Sequence, residues 1–264
     1  MREHAGLSIA TAAELLGTDR PRITNMELGR FGVSEERLRT IAALYSCADI
    51  AYVEALVVMA QRRKPGWWEG YRDVLPAGLL DLSEIEHDAV AMRSVQTSHF
   101  PGLLQTADHA RGVFAAVVMP PLPPSQVEAR VSHRIRRQVV LERDDPPFYS
   151  AVVHEAALRM QFGGPQVAQR QLQYLLEASE RDNVRVRVIP FAAGGFPGAG
   201  HSMLYVSGTV PQLDTVQIDT AHASMFLDAE AHLGNYRILM DHVERMALGF
   251  DASRDLIRRI AQEL

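Results

Sequence analysis

The stretch "LSIATAAELLGTDRPRITNMELGR", Leu7 to Arg30, is where the reading of the fold starts. Ala12, Ala13, Leu15 and Leu16 make a short apolar helical face, and Gly17 behind them is a helix stop. Thr18 and Asp19 are candidate N-caps for a second helix. Pro21 falls in the first turn of that helix, where a missing N–H costs little. Ile23 and Met26, three apart, face a core, and Gly29 closes the unit. Two short helices joined by a tight turn are expected.

The helical pattern continues outward. "VSEERLRTIAALY" has Ser34 three residues before Arg37, and Leu38, Ile41, Ala42 and Tyr45 share one face. "DIAYVEALVVMAQRR" is a further apolar helix from Asp49. Five short helices with short loops would give an all-α domain over residues 1–63. "KPGWWEGYRDVLP" interrupts it, and Pro65-Gly66 marks a boundary. A larger domain over residues 66–264 is expected to be α+β.

In that larger domain "SEIEHDAVAMRSVQT" reads as helix passing into strand, and "TADHARGVFAAVV" as helix. "MPPLPPS" is a rigid Pro-rich connection. "SQVEARVSHRIRRQVVLE" is helical, with Val127, Val131, Ile135 and Val139 spaced by four. "FYSAVVHEAAL" starts as a strand, "GPQVAQRQLQYLLEASE" is a bounded helix, and "VRVRVIPF" is a half-buried strand. "HSMLYVSG" and "DTVQIDT" pair as a candidate hairpin, and "NYRILMDHVERMAL" and "SRDLIRRIAQEL" close as helices.

The totals bound the function. A chain of 264 residues suggests two domains, and 47% apolar with 22% charged residues fits a globular protein with a real core. The single cysteine, Cys47, excludes an internal disulfide, fits a reducing cytoplasm and reads as a small buried hydrophobe. No charged leader with an apolar run is visible, and no apolar stretch approaches about 18 residues, which argues against secretion and membrane spanning. Net charge is −5. Residues 1–64 carry nine Lys/Arg against eight Asp/Glu, so any grip on phosphate must come from local clusters. Those clusters are Arg20, Arg22 and Arg30, and separately Arg62 to Lys64, which reads equally as a solvated face.

In helix-turn-helix geometry the first helix braces the second, and the first turns of the second meet base edges. The helix from Arg20 would present Arg20, Pro21, Thr24 and Asn25 outward. Arginine pairs bidentately with guanine and asparagine with adenine, whereas an arginine on phosphate orients without specifying. A plain helical hairpin has the same pattern.

"AGLSIATAAELLGTDRPRITNMELGRFGVSEERLRTIAALY", Ala5 to Tyr45, resembles the helix-turn-helix of Cro/C1-type regulators, the xenobiotic-response-element family. Leu7, Ser8, Ala12, Ala13, Leu16, Gly17, Ile23, Glu27, Gly29 and Arg30 match its usual form. The resemblance implies double-stranded operator DNA as partner. Ile9 stands where the family has a phosphate-gripping Gln, and Ala10 and Thr11 replace an acidic pair. The usual first helix is mostly missing, so part of the core is expected to be open, covered by an upstream segment or by dimer contacts, or lost through partial decay.

Beyond Gly66 the motifs "GWWEGYRDVLP", "FPGLLQTADHAR", "RIRRQVVLERDDPP", "HEAALR" and "LLEASERDNVRVRVIPF" occur in order, with a terminal "LIRRIAQEL". They resemble the C-terminal domain, of unknown function, of antitoxin-like bacterial transcriptional regulators. The resemblance implies a cytoplasmic regulator, often acting beside a small protein partner. Two-fold pairing would supply two recognition helices about one helical turn of DNA apart.

Trp67, Trp68 and Tyr71 are candidate walls of a ligand pocket, although adjacent tryptophans also seal junctions. Gln105 and Thr106 start a helix whose N-terminus can hold an anion or carbonyl. "FAAGGFPGAGH" lacks nucleotide-binding spacing. The ten histidines show no metal-binding spacing, and neither a metal nor a cofactor is expected. The leading expectation is a DNA-binding regulator whose second domain dimerises or binds a ligand or small protein. The alternative is a biosynthetic enzyme or small-molecule binder on the second domain, with the first domain degenerate.

Overall fold

Four side-chain caps set the helices of the first unit. Ser8, Asp19, Ser34 and Asp49 open α1 (Ile9–Leu15), α2 (Arg20–Glu27), α3 (Glu35–Leu44) and α4 (Ile50–Ala60). The shortest cap is Arg22 N–H to Asp19 Oδ1 at 2.7 Å, and such a cap contributes about 1 kcal/mol. Pro21 sits in the first turn of α2 as expected. At the C-termini the chain turns left-handed at Gly17 (φ 59°), Gly29 (φ 64°) and Ser46 (φ 53°). The Thr18 N–H reaches Ala13 O at 2.9 Å and the Arg30 N–H reaches Asn25 O at 2.9 Å, closing Schellman turns on α1 and α2.

The computed structural model describes residues 1–61, 65–220 and 224–264. The chain divides into two units, Met1–Pro65 and Gly66–Leu264. The first is all-α, with four helices among the described residues where the sequence pattern suggested five. Ala12, Ala13, Leu16, Ile23, Ile41 and Tyr45 form its core. Met1, Leu7 and Ile9 pack against that core, so the turns before α1 cover surface expected to be open. Cys47 is half-buried rather than buried. The cluster Arg62 to Lys64 lies outside the described residues.

The second unit is α+β. It opens with a 3₁₀ turn at Trp67–Tyr71 and continues through α5 (Ala77–Asp88), β1 (Ala91–Gln96), α6 (Ala107–Val117) and α7 (Pro124–Arg137). β2 (Phe148–His154), α8 (Glu155–Arg159), α9 (Pro165–Ala178) and β3 (Val184–Ile189) follow. β4 (Met203–Ser207), β5 (Thr215–Asp219), β6 (Ser224–Leu227), α10 (Glu230–Met246) and α11 (Phe250–Glu263) complete it. The strands form one sheet in the order β3-β2-β1-β4-β5-β6. β1, β2 and β3 run parallel, and β4, β5 and β6 pair antiparallel.

Both faces of the sheet are covered, as a parallel half requires. Met92, Ala151, Val153, Val186 and Leu204 pack with α9 and α11, while Val95, Val152, Ile189 and Tyr205 pack with α10. The expected pairing of the last two strands is seen as β4 with β5. The spacing by four that placed Val139 on the buried face of α7 fails. The chain tightens to 3₁₀ at Gln138–Leu141, and Val139 is 59% exposed while Val140 and Leu141 turn inward.

Candidate nucleic-acid interface and second-unit cleft

Helix α2 and the turn that follows it carry the residues that the sequence singled out for base and phosphate contact. Arg20, Pro21, Arg22 and Arg30 are exposed, and Thr24 and Asn25 are half-buried. Ile23 is buried and anchors the helix. Neither Arg20 nor Arg22 has an ion pair among the described residues, so two cations stand free at its N-terminal turn. Thr24 Oγ1 donates back to Arg20 O at 3.2 Å. Arg30 Nη1 donates to Asn25 Oδ1 at 2.9 Å. That contact leaves the Asn25 amide N–H groups available and fixes the plane of the amide. A bidentate contact to adenine would require Asn25 Oδ1 to release Arg30.

Arg2 and Glu27, not foreseen as site residues, complete the surface. Arg2 Nε donates to Glu27 Oε1 at 2.6 Å and Nη2 to Oε2 at 3.0 Å, while Nη1 holds Leu7 O at 2.8 Å. The fork neutralises the one acidic side chain of α2, which would otherwise repel phosphate. The pair is 25 residues apart, and no periodicity links the two. Ile9, at the family's Gln position, packs inward against the helical core instead of facing solvent.

In the second unit the five aromatic and polar candidates separate. Trp67 lines a cleft of about 250 Å³ together with Glu86, His87, Arg136, Arg137 and Val140. Trp68 is only 3% exposed and packs with Leu75 and Leu80. Tyr71 is half-buried, and its hydroxyl is 3.0 Å from Ser132 Oγ. Beneath these rings His133 is 2.9 Å from Ser83 Oγ. Burial, and then the charges of Arg137, Arg134 and Arg136, push the His133 imidazole down to about 3, so it is neutral at pH 7. The Arg136 guanidinium lies 4.9 Å above the Trp67 ring.

Glu86 and Arg137 form a fork–fork pair, Nε to Oε2 at 2.7 Å and Nη2 to Oε1 at 2.5 Å, with both side chains no more than 5% exposed. Burial alone would lower the Arg137 value, and the charge and hydrogen bonds of Glu86 overcome it, so the guanidinium is held above its ordinary value. Gln105 and Thr106 do not line the cleft. Gln105 is fully buried, donates to Phe100 O at 2.6 Å and accepts from Arg134 Nη1 at 2.8 Å. Thr106 Oγ1 accepts the His109 N–H at 3.3 Å, and its own N–H goes to Gln171 Oε1 at 2.7 Å. Thus the start of α6 is bonded by the protein's own groups.

The histidines are dispersed. His154 caps α8 by accepting the Ala156 N–H at 3.2 Å, and His109 sits edge-on between Phe100 and Phe162. His232 and His242 share α10, which runs unbroken through Gly234. His222 lies outside the described residues. Among the described residues no group of His, Cys, Asp and Glu side chains can hold a metal ion, and no helix is long and apolar enough to cross a membrane.

Neither a curated protein nor a solved structure matches the chain. Residues 1–56 match the family described as Helix-turn-helix domain. Residues 79–259 match the family described as Domain of unknown function (DUF5753). The chain therefore belongs to the DUF5753 family, with a Cro/C1-type helix-turn-helix in front of that domain as in antitoxin-like regulators.

Proposed function

We propose that this protein is a transcriptional regulator that inserts α2 into the major groove of a double-stranded operator, and that its second unit dimerises or binds a small ligand or small protein partner. The observation that carries the reading is the free pair Arg20 and Arg22 on a capped helix whose only carboxylate is neutralised by Arg2. Arg20 and Asn25 are assigned to base edges, with Pro21 and Thr24 lining the same approach. Arg22 and Arg30 are assigned to phosphate. The near-neutral first unit supplies little long-range attraction, so affinity rests on these few contacts.

Genomic fragments captured by the full chain at low salt supply the operator for a band-shift titration. Arg20→Ala and Asn25→Ala are each expected to weaken binding by about 1–3 kcal/mol, and Arg22→Ala to lower the salt slope by about 1. Equal binding by Arg20→Ala, Asn25→Ala and the unaltered chain would remove α2 from the interface.

A further inference from the structure

Buried polar atoms are almost always hydrogen-bonded, so the exceptions mark places where something else binds. Among the described residues six buried side-chain polar atoms have no partner, and five of them belong to Gln96, His109, Arg130 and Arg134 of the second unit. The fold gathers Arg130, Arg134 and His109. Arg130 and Arg134 lie one turn apart on α7, on the same face. Arg134 Nη1 holds Gln105 Oε1 at 2.8 Å, and Gln105 Nε2 holds Phe100 O at 2.6 Å. The Phe100 ring lies 4.9 Å from the His109 ring, and His99 Nδ1 is 3.1 Å from Phe100 O. Gln96 ends β1 three residues earlier and is 8% exposed.

Arg134 stacks its guanidinium 4.4 Å above the Phe114 ring, but no carboxylate forks onto the charge at this place. Neither Arg130 nor Arg134 has a carboxylate within ion-pair distance among the described residues, and the six residues outside the description are not acidic. Asp219 favours the Arg134 charge from beyond ion-pair distance, and its Oδ1 accepts from Gln217 Nε2 at 2.6 Å and Ser224 Oγ at 3.1 Å. Burial first, and then Arg137, pull the Arg134 guanidinium down to about 9, while His109 falls to about 4 and is neutral at pH 7. Arg130, Arg134 and His99 are half-buried, so the cluster lies near the surface. β1 and β5 run in the same direction, so Gln96 and Asp219 stand at the edge of the sheet where strands end in α/β folds and ligands bind.

We propose that Arg130, Arg134 and His109 form a binding site for the carboxylate or phosphate of a small molecule. The two inward Nε–H groups donate to the oxyanion, and the neutral His109 ring adds a third donor. The assignment rests on the ligand-binding half of the proposed function, and its test is run without DNA, so that it fails separately from operator binding.

Calorimetric titration of the full chain with inorganic phosphate, and in a second arm with glycolate, tells the two oxyanions apart. A saturable heat is expected in one arm, weakened about tenfold or more by Arg134→Met and by Arg130→Met. Arg134→Met leaves the buried Gln105 Oε1 without its donor and removes the stacking on Phe114, so some loss of stability is expected and the fold of each variant is checked by circular dichroism before titration. No saturable heat in either arm, or unchanged affinity in both variants, overturns the site. Should both variants fail to fold, the arginine Nε–H resonances of the unaltered chain decide. Two buried signals shifting on saturation support the site, and an unchanged spectrum overturns it.

Discussion

Glu86 and Arg137 show how much a single buried side chain can weigh. Each has lost nearly all its water, and the fork between them returns two charge-assisted hydrogen bonds in a low-dielectric setting. Neutralising Glu86 keeps the shape but strands the Arg137 cation. Glu86→Gln is therefore expected to cost about 3–5 kcal/mol of stability, whereas replacing both residues by leucine or methionine costs much less. Urea unfolding of the two variants checks this, and a loss below about 1 kcal/mol in Glu86→Gln would mean that water reaches the pair. The pair was invisible in the sequence, since 51 residues separate its members and the basic run that holds Arg137 does not single it out from Arg134 and Arg136. The α2 candidates were legible for the opposite reason. Asp19, Pro21 and Ile23 are local signals for cap, first turn and core, and together they fix which residues face outward. What the sequence did not show is that Arg30 folds back across the turn onto Asn25, and that Arg2 locks Glu27 in a tertiary contact.

At the scale of elements, the ends of the helices were easier to read than their sides. Gly17 and Gly29 announce the stops of α1 and α2 because glycine adopts positive φ without a clash. Ser46 gives no such signal, yet it turns left-handed at the end of α3, where its N–H reaches Ala43 O at 3.1 Å and Cys47 N–H reaches Ala42 O at 2.8 Å. A serine Cβ in that conformation costs about 1–2 kcal/mol relative to the right-handed basin, so Ser46→Gly is expected to stabilise the first unit by about 1 kcal/mol. Thermal unfolding monitored by circular dichroism checks it, and a lower melting temperature would show that the Ser46 side chain contributes more than its backbone strain costs. The same difference between ends and sides explains the failures. Val139 fits a period of four only while the helix stays α, and the shift to 3₁₀ at Gln138 rotates it outward. β6 has four residues and no fully buried side chain, so it leaves no alternation to detect. Gln105 was legible as the entry to α6, but its inward direction comes from Arg134 and Phe100, not from neighbours in the chain.

For the whole molecule, the buried imidazoles couple folding to pH. His109 is fully buried and His133 is 1% exposed, and burial lowers them to about 4 and about 3 in the folded chain. Unfolded histidine takes its proton near 6.5, so between there and 4 the unfolded chain holds more protons than the folded one. Stability from these rings is therefore fully present above 6.5 and is lost as pH falls through that window, at roughly 1 kcal/mol per pH unit for each ring. Glu155, held below the ordinary carboxylate value against desolvation by the Phe191 N–H and by Arg159, loses its contribution only at lower pH, so the two effects separate. Chemical denaturation of the full chain at pH 7.5, 6 and 5 is expected to show a falling midpoint for the second unit. In His133→Gln, which keeps a partner for Ser83 and cannot titrate, the slope should drop by about one proton. A midpoint that stays flat from pH 7.5 to 5 would mean that His109 and His133 are hydrated or protonated in the folded chain. The neutral His109 required beside Arg130 and Arg134 would then be lost as well.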